Sequence, residues 1–169
     1  MKGIVIYKSK YGAAKQYAQW IAESLGILAV PADNIKAADL GAYDYVIAGS
    51  SIYIGKIMIK DWLEKNSDAL KDKKLFFFIV GGAYPADKEK TAKYFTDNIS
   101  PAMLGQVQCF YLQGKTIYKE LSLMDKFLLK AGAWLAGDTK VKKEMLTDLN
   151  AIDRKNLEGL LAAVKKMSE

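Results

Sequence analysis

Histidine is absent from the 169 residues, and cysteine occurs once, at Cys109. Without imidazole the chain builds neither a Ser-His-Asp triad nor a His-liganded zinc site, and no metal site is expected. A single thiol closes no internal disulfide, so a reducing, cytoplasmic setting is expected. Cys109 lies in an apolar run, where a structural thiol is commoner than a nucleophile. Arginine is almost missing too: of 25 Lys and Arg residues only Arg154 is arginine. The basic surface is therefore built from ammonium point charges rather than guanidinium forks, which speaks against a nucleic-acid partner. No apolar run approaches the ~20 residues of a membrane span, and the opening "MKGIVIYKSK" is too short in its apolar part for a secretion signal. No Pro/Gly/Ser linker, repeat or low-complexity stretch divides the chain. One domain over residues 1–169 is expected, soluble or peripheral at a membrane.

What is present alternates. Ile4 to Tyr7 is a short unbroken apolar run, as in a strand covered on both faces. Ala14, Tyr17, Ala18, Ile21, Ala22 and Leu25 then recur at helical spacing. Further strands are expected at 27–32, 43–55, 74–85 and 106–114. Helices are expected from Ile59 to Leu70, from Asp87 to Asn98, and over Leu157 to Val164. Five strands alternating with helices predict a doubly wound parallel sheet in an α/β/α sandwich. Ligands in such folds sit at the carboxyl ends of the strands, so loops 8–14, 50–56 and 81–85 should converge on one pocket.

The first loop, Lys8-Ser9-Lys10-Tyr11-Gly12-Ala13-Ala14, leads into a helix N-terminus whose first N–H groups have no internal partner. A phosphate would satisfy them, with Ser9 as a further donor and Lys10 adding charge. An ordinary turn and cap would use the same residues. Other anion sites are excluded by residue type. A dinucleotide fingerprint needs three glycines where only Gly12 stands, and Gly114-Lys115-Thr116 lacks the first glycine of a P-loop, having Cys109 there. A phosphoacceptor receiver domain needs carboxylates where Lys8-Ser9 and Gly49-Ser50 lie. A low-molecular-weight tyrosine phosphatase needs Cys-x5-Arg in this loop.

The run "VIYKSKYGAAKQYAQWI" resembles the flavodoxin signature, with Val5, Ile6, Tyr7, Ser9, Gly12, Ala18 and Ile21 at matching positions. Ala14 takes the place of a Thr, losing one hydroxyl to the phosphate, roughly 0.5 to 1.5 kcal/mol. Within that family the chain is most similar to the menaquinone-dependent protoporphyrinogen oxidases of heme biosynthesis. "YVIAGSSIYIGKI" resembles their second flavin loop, "YKELSLMDKFLLK" their insert after the fifth strand, and "LTDLNAIDRKNLEGLLAAV" their last helix. Their Arg/Tyr-rich insert is Lys-based here. The resemblance implies a flavodoxin-like sheet of order 2-1-3-4-5 and an FMN cofactor. Ser9, Lys10, Tyr11, Gly12, Ala13 and Ala14 would hold the phosphate. Ser50, Ser51, Ile52, Tyr53, Ile54 and Gly55 would line one side of the ring, with Tyr53 stacking. Gly81, Gly82, Ala83 and Tyr84 would form the other wall. The chemistry would belong to the flavin, with a quinone or redox protein as partner and a porphyrinogen-like substrate. Lys10 and Lys56 near the ring should make its potential less negative.

Residues 115–149 are too long for a simple connection and read as an insertion. Seven lysines between 115 and 143, against Glu120, Asp125 and Asp138, supply +4 of the net charge of +6. Leu121, Leu123, Met124, Phe127, Leu128, Ala131, Trp134 and Leu135 fall on one side of a helix, with Ser122, Asp125, Lys126 and Lys130 on the other and Leu129 as the exception. Such a helix packs on its own domain or lies in a membrane interface. The Trp/Phe content and flanking lysines favour the membrane surface, through 115–143. Lys115, Tyr118, Lys119, Lys126, Phe127, Lys130 and Trp134 are the expected substrate or membrane contacts. Two alternatives stand beside the enzyme: an electron carrier without its own substrate, and an interaction module that has lost flavin.

Overall fold

The computed structural model describes residues 1–81, 88–135, 143 and 146–167. Five parallel strands form its centre: β1 (Gly3–Lys8), β2 (Leu28–Pro31), β3 (Tyr45–Tyr53), β5 (Lys74–Gly81) and β6 (Val107–Gln113). Their order is β2-β1-β3-β5-β6, the expected 2-1-3-4-5 winding of a flavodoxin-like sheet. A two-residue strand, β4 (Lys56–Ile57), is added as a hairpin on the end of β3.

Alternate residues of each strand feed two cores, which is why the strand sequences show no polar alternation. Val5, Ile47, Phe76 and Phe78 pack under α1 (Ala13–Leu25) and α7 (Glu158–Met167). Ile4, Ile6, Val46, Phe77 and Ile79 pack on the opposite face with Leu63, Leu70, Phe95 and Ile99. Those partners come from α2 (Lys60–Lys65), α3 (Ser67–Leu70), α4 (Lys88–Thr96) and the turn after it. Phe78 is fully buried, and truncating it to Ala should cost about 3–5 kcal/mol.

Helix α1 buries Ala14, Tyr17, Ala18 and Ile21, the stripe expected from its spacing. The helix expected over Ile59 to Leu70 is instead two, divided at Asn66, whose backbone leaves helical geometry (φ −107°, ψ 12°) and whose side-chain amide donates to the Trp62 carbonyl at 2.7 Å. Cys109 is half-buried, and burial pushes its thiol up to about 11, away from thiolate chemistry. After a short helix α5 (Pro101–Leu104) and β6, the chain enters 115–149 through β7 (Lys115–Thr116). It leaves through β8 (Leu149–Asn150), paired antiparallel with β7. Between them come a turn over Tyr118–Glu120 and helix α6 (Leu123–Leu135).

Candidate functional site

At the carboxyl ends of β1, β3, β5 and β6 lies a cavity of about 490 Å³, within the range of small-molecule and cofactor pockets. Of the expected phosphate-loop residues, Lys10, Tyr11 and Ala13 line it. Gly12 sits just behind them in the left-handed region (φ 83°), as the residue before α1, and no side chain caps that helix end. The first-turn N–H groups of α1 are thus open to an anion. Ser9 Oγ lies 3.4 Å from Ser51 Oγ, joining the first loop to the second. Ala14 is fully buried in the core under α1, so its methyl faces the sheet rather than the cavity.

Ser51, Ile52, Tyr53 and Ile54 line the cavity from the second loop. Ser50 does not: its hydroxyl accepts from the Ile59 N–H (3.2 Å) and donates to the Ser51 carbonyl (3.0 Å). Strand alternation turns it inward, fully buried, where it fastens the chain after β4 and has no donor left for a ligand. Tyr53 and Lys56 pair across a two-residue turn made by Ile54 (φ 49°) and Gly55 (φ 73°). Two positive φ values match the twist of a tight hairpin. For a β-branched residue the conformation is strained, and Ile54 is held in it at the cavity's edge, largely exposed.

The floor between β5 and β6 depends on close backbone approach. The Gly114 N–H donates to the Gly81 carbonyl at 2.7 Å. A Cβ at Gly114 would stand 2.7 Å from that oxygen and 2.9 Å from Val80 Cγ1. Tyr94 completes this side and stacks on Tyr111. Burial, with the neighbouring Tyr94, pushes the Tyr111 phenol up to about 12. Gly82, Ala83 and Tyr84, expected as the third wall, lie outside the described residues.

The remaining wall is α6, which presents Asp125, Leu128, Leu129 and Gly132 to the cavity. Asp125 is 6% exposed and reaches both ligand loops. Its carboxylate pairs with Lys10 Nζ at 2.8 Å and accepts from the Tyr53 hydroxyl at 2.6 Å and from the Tyr11 hydroxyl. Lys10 Nζ also stands 3.7 Å from the centre of the Tyr53 ring. Burial alone would raise the carboxyl's pKa. The hydrogen bonds from Lys10, Tyr11 and Tyr53 and the charge of Lys10 outweigh it and hold Asp125 well below the usual carboxylate range. The Asp125 hydrogen bond in turn pushes Lys10 above the usual ammonium value. Helix α6 starts at Ser122, whose hydroxyl accepts the Asp125 N–H (3.1 Å) while its own N–H donates to the Tyr11 hydroxyl (3.2 Å).

Asp125, expected on the polar side of α6 with Ser122, Lys126 and Lys130, faces inward together with Leu129 and Ala133. Most of the apolar stripe faces out, with Leu123 86% exposed, Phe127 68% and Trp134 77%, while Leu121 and Leu128 line the cavity. The ion cluster and the small residues Gly132 and Ala133 allow close docking on that side. Of the expected insert contacts only Lys115 lines the cavity, paired there with Glu120 at 3.0 Å. Lys126 and Lys130 stand over the Tyr118 ring at 5.5 and 5.9 Å. Lys119, Phe127 and Trp134 lie on the outer surface. Lys56 is also exposed, on β4. Among the described residues no helix is long and apolar enough to cross a membrane.

Asp125 is the residue that the sequence reading missed. Its signal was the spacing Ser122-x-x-Asp125, a helix-start pattern that places a carboxylate in the first turn.

Residues 4–143 match a family described as flavodoxin domain. Oxidised flavodoxin 2 from Bacillus cereus has the same fold, at 16% identity, covering 99% of each chain with a TM-score of 0.50. Weaker likenesses include a flavodoxin from the domain Archaea, at 19% identity over 71% of this chain and 88% of that one, TM-score 0.47. Another is a flavoprotein in complex with FMN from Lactobacillus acidophilus, at 14% identity over 66% and 91%, TM-score 0.46. No curated protein matches.

Proposed function

The chain belongs to the flavodoxin domain family, and from that premise we propose that it binds FMN and serves as a flavin-dependent redox protein. The observation that carries the reading is the uncapped start of α1 at Gly12, opening beside a cavity of about 490 Å³ at the strand ends. The residues present fit the cofactor. The N–H groups after Gly12 and the hydroxyls of Ser9 and Ser51 would hold the phosphate, and Tyr53, Ile54 and the Gly81–Gly114 floor would flank the ring. Bound FMN supplies reversible two-electron chemistry, with a redox protein or small molecule as partner. The protein's own part is to place donors at the phosphate, shield the ring under α6, and set the charge around it. An absorption spectrum taken after adding FMN and removing the excess tests this. Retained flavin bands, lost when Gly12→Val blocks the left-handed turn, are expected; a colourless wild-type protein refutes it.

A finer reading has one observation in its favour, the outward apolar stripe of α6 with Lys119, Lys126 and Lys130 beside it. An anionic lipid surface complements both features. We propose that the protein works there as an oxidoreductase resembling the menaquinone-dependent protoporphyrinogen oxidases, with a bilayer quinone as acceptor and the lysines drawing in a carboxylate-bearing porphyrinogen. Flotation with phosphatidylserine-containing vesicles should be lost in a Phe127→Ser/Trp134→Ser variant. Equal recovery of both proteins would remove the membrane from the reading, and failure to oxidise porphyrinogen with a quinone present would leave the electron carrier.

A further inference from the structure

Among the described residues Asp125 is one of two acids lining the cavity, and the other, Glu120, is paired with Lys115 at its rim. Asp125 arrives on α6, between the paired strands β7 and β8, yet its carboxylate bonds with the two ligand loops: Lys10 at 2.8 Å, Tyr53 at 2.6 Å, and Tyr11. We propose that Asp125 is a positioning residue of the flavin site, through which the segment 115–149 sets the potential of the bound cofactor by cancelling the Lys10 charge and fixing the Tyr53 ring. The inference rests on the FMN reading above.

Lys10 is the cation that the first loop brings nearest to the second, and unopposed it would favour whichever state of a ligand carries more negative charge. Reduction of FMN by two electrons and one proton adds such a charge. With Asp125 in contact, Lys10 and the carboxylate together present a dipole rather than a cation, and with Asp125 buried and Lys10 32% exposed the pair is only partly screened. Tyr53 is held between them, its hydroxyl on the carboxylate and its ring under the ammonium group. The expectation that Lys10 and Lys56 make the potential less negative is therefore incomplete, because the Lys10 charge is already matched from the insertion.

The test is a redox titration of the FMN-loaded wild-type protein and of Asp125→Asn, Lys10→Met and the double variant, with the dissociation constants of oxidised and reduced FMN measured in parallel. Asp125→Asn should favour reduced over oxidised FMN by about tenfold relative to wild type, a potential ~30 mV less negative for a two-electron couple. Lys10→Met should shift it by a similar amount the other way, and the double variant should return close to wild type. That reversal separates charge matching from loosened packing, which would give both single variants the same sign. If Asp125→Asn does not fold, the Lys10→Met shift still decides. Unchanged potentials in single variants that retain FMN overturn the proposal and leave the cofactor reading intact. A wild-type protein that holds no FMN overturns both.

Discussion

Removing one oxygen atom, by Tyr17→Phe, tests how the closing segment is tied to the sheet. Tyr17 is fully buried in α1. Its hydroxyl donates to the Gln113 carbonyl at 2.6 Å, and accepts from Asn156 Nδ2 at 2.7 Å and the Asp153 N–H at 3.3 Å. Three chain regions meet on that atom: α1, the end of β6 beside the cavity, and the turn before α7. Burial pushes the phenol's pKa upward, so it remains a donor at any working pH. Each bond contributes about 0.5–1.5 kcal/mol net, and a partner left unsatisfied in the interior costs more. Asn156 keeps its bond to the Ala151 carbonyl, which limits the loss. The expected destabilisation is about 2–3 kcal/mol, or roughly 5–10 °C in Tm for a chain of this length. Urea unfolding followed by circular dichroism should show a lower midpoint with an unchanged slope. A change below about 0.5 kcal/mol would mean that water replaces the hydroxyl and that the three regions are not held through it.

Gly114→Ala should cost about 1–3 kcal/mol by overpacking against Gly81 and Val80, read as a lower Tm together with faster FMN release. Stability without any effect on release would separate the floor from the site. Ile54→Asn relieves a left-handed β-branched residue and should stabilise by about 1 kcal/mol; a loss in chemical denaturation would show that the Ile54 side chain contributes more than its backbone costs. For the pair on α6 the pH windows follow from the signs. Asp125 has a lowered pKa, so its contribution is whole above the ordinary 3.8 and drains away as pH falls below it. Lys10 has a raised one, so its contribution is whole below 10.5 and drains away above. Hydrogen exchange of α6 amides, corrected for intrinsic rates, should therefore be level between those limits and rise in acid. The groups facing the carboxylate are Lys10 and the hydroxyls of Tyr11 and Tyr53, and exchange that stays level in acid would show that α6 is held without them.

The sheet was legible because β1, β3 and β5 are apolar on both faces and each leads toward a helical stripe, patterns that depend on neighbours in sequence. Ser9 to Ala13 could be read as a ligand loop for the same reason, since the strand and helix that frame it adjoin it. Ser50 looked equivalent to Ser51 until strand alternation was seen to turn it toward Ile59. The inward turn of Asp125 was harder still. Its companions on the polar side of α6, Ser122, Lys126 and Lys130, are hydrophilic, and the local pattern alone leaves a carboxylate among them in solvent. What turns the helix is a contact 115 positions away in sequence, Lys10 to Asp125, and no local pattern carries it.

Because β7 and β8 lie side by side, and the Ala151 N–H donates to the Gly114 carbonyl at 3.0 Å, the polypeptide leaves the end of β6 and comes back to nearly the same point before α7. A stem of that kind would let the intervening stretch act as a cassette, exchanged without moving the strands on which the rest of the fold depends. A shorter replacement would uncover the cavity, and a different one would bring another residue to the place of Asp125. Variation among relatives built this way can thus alter what the pocket meets while the sheet beneath it stays the same.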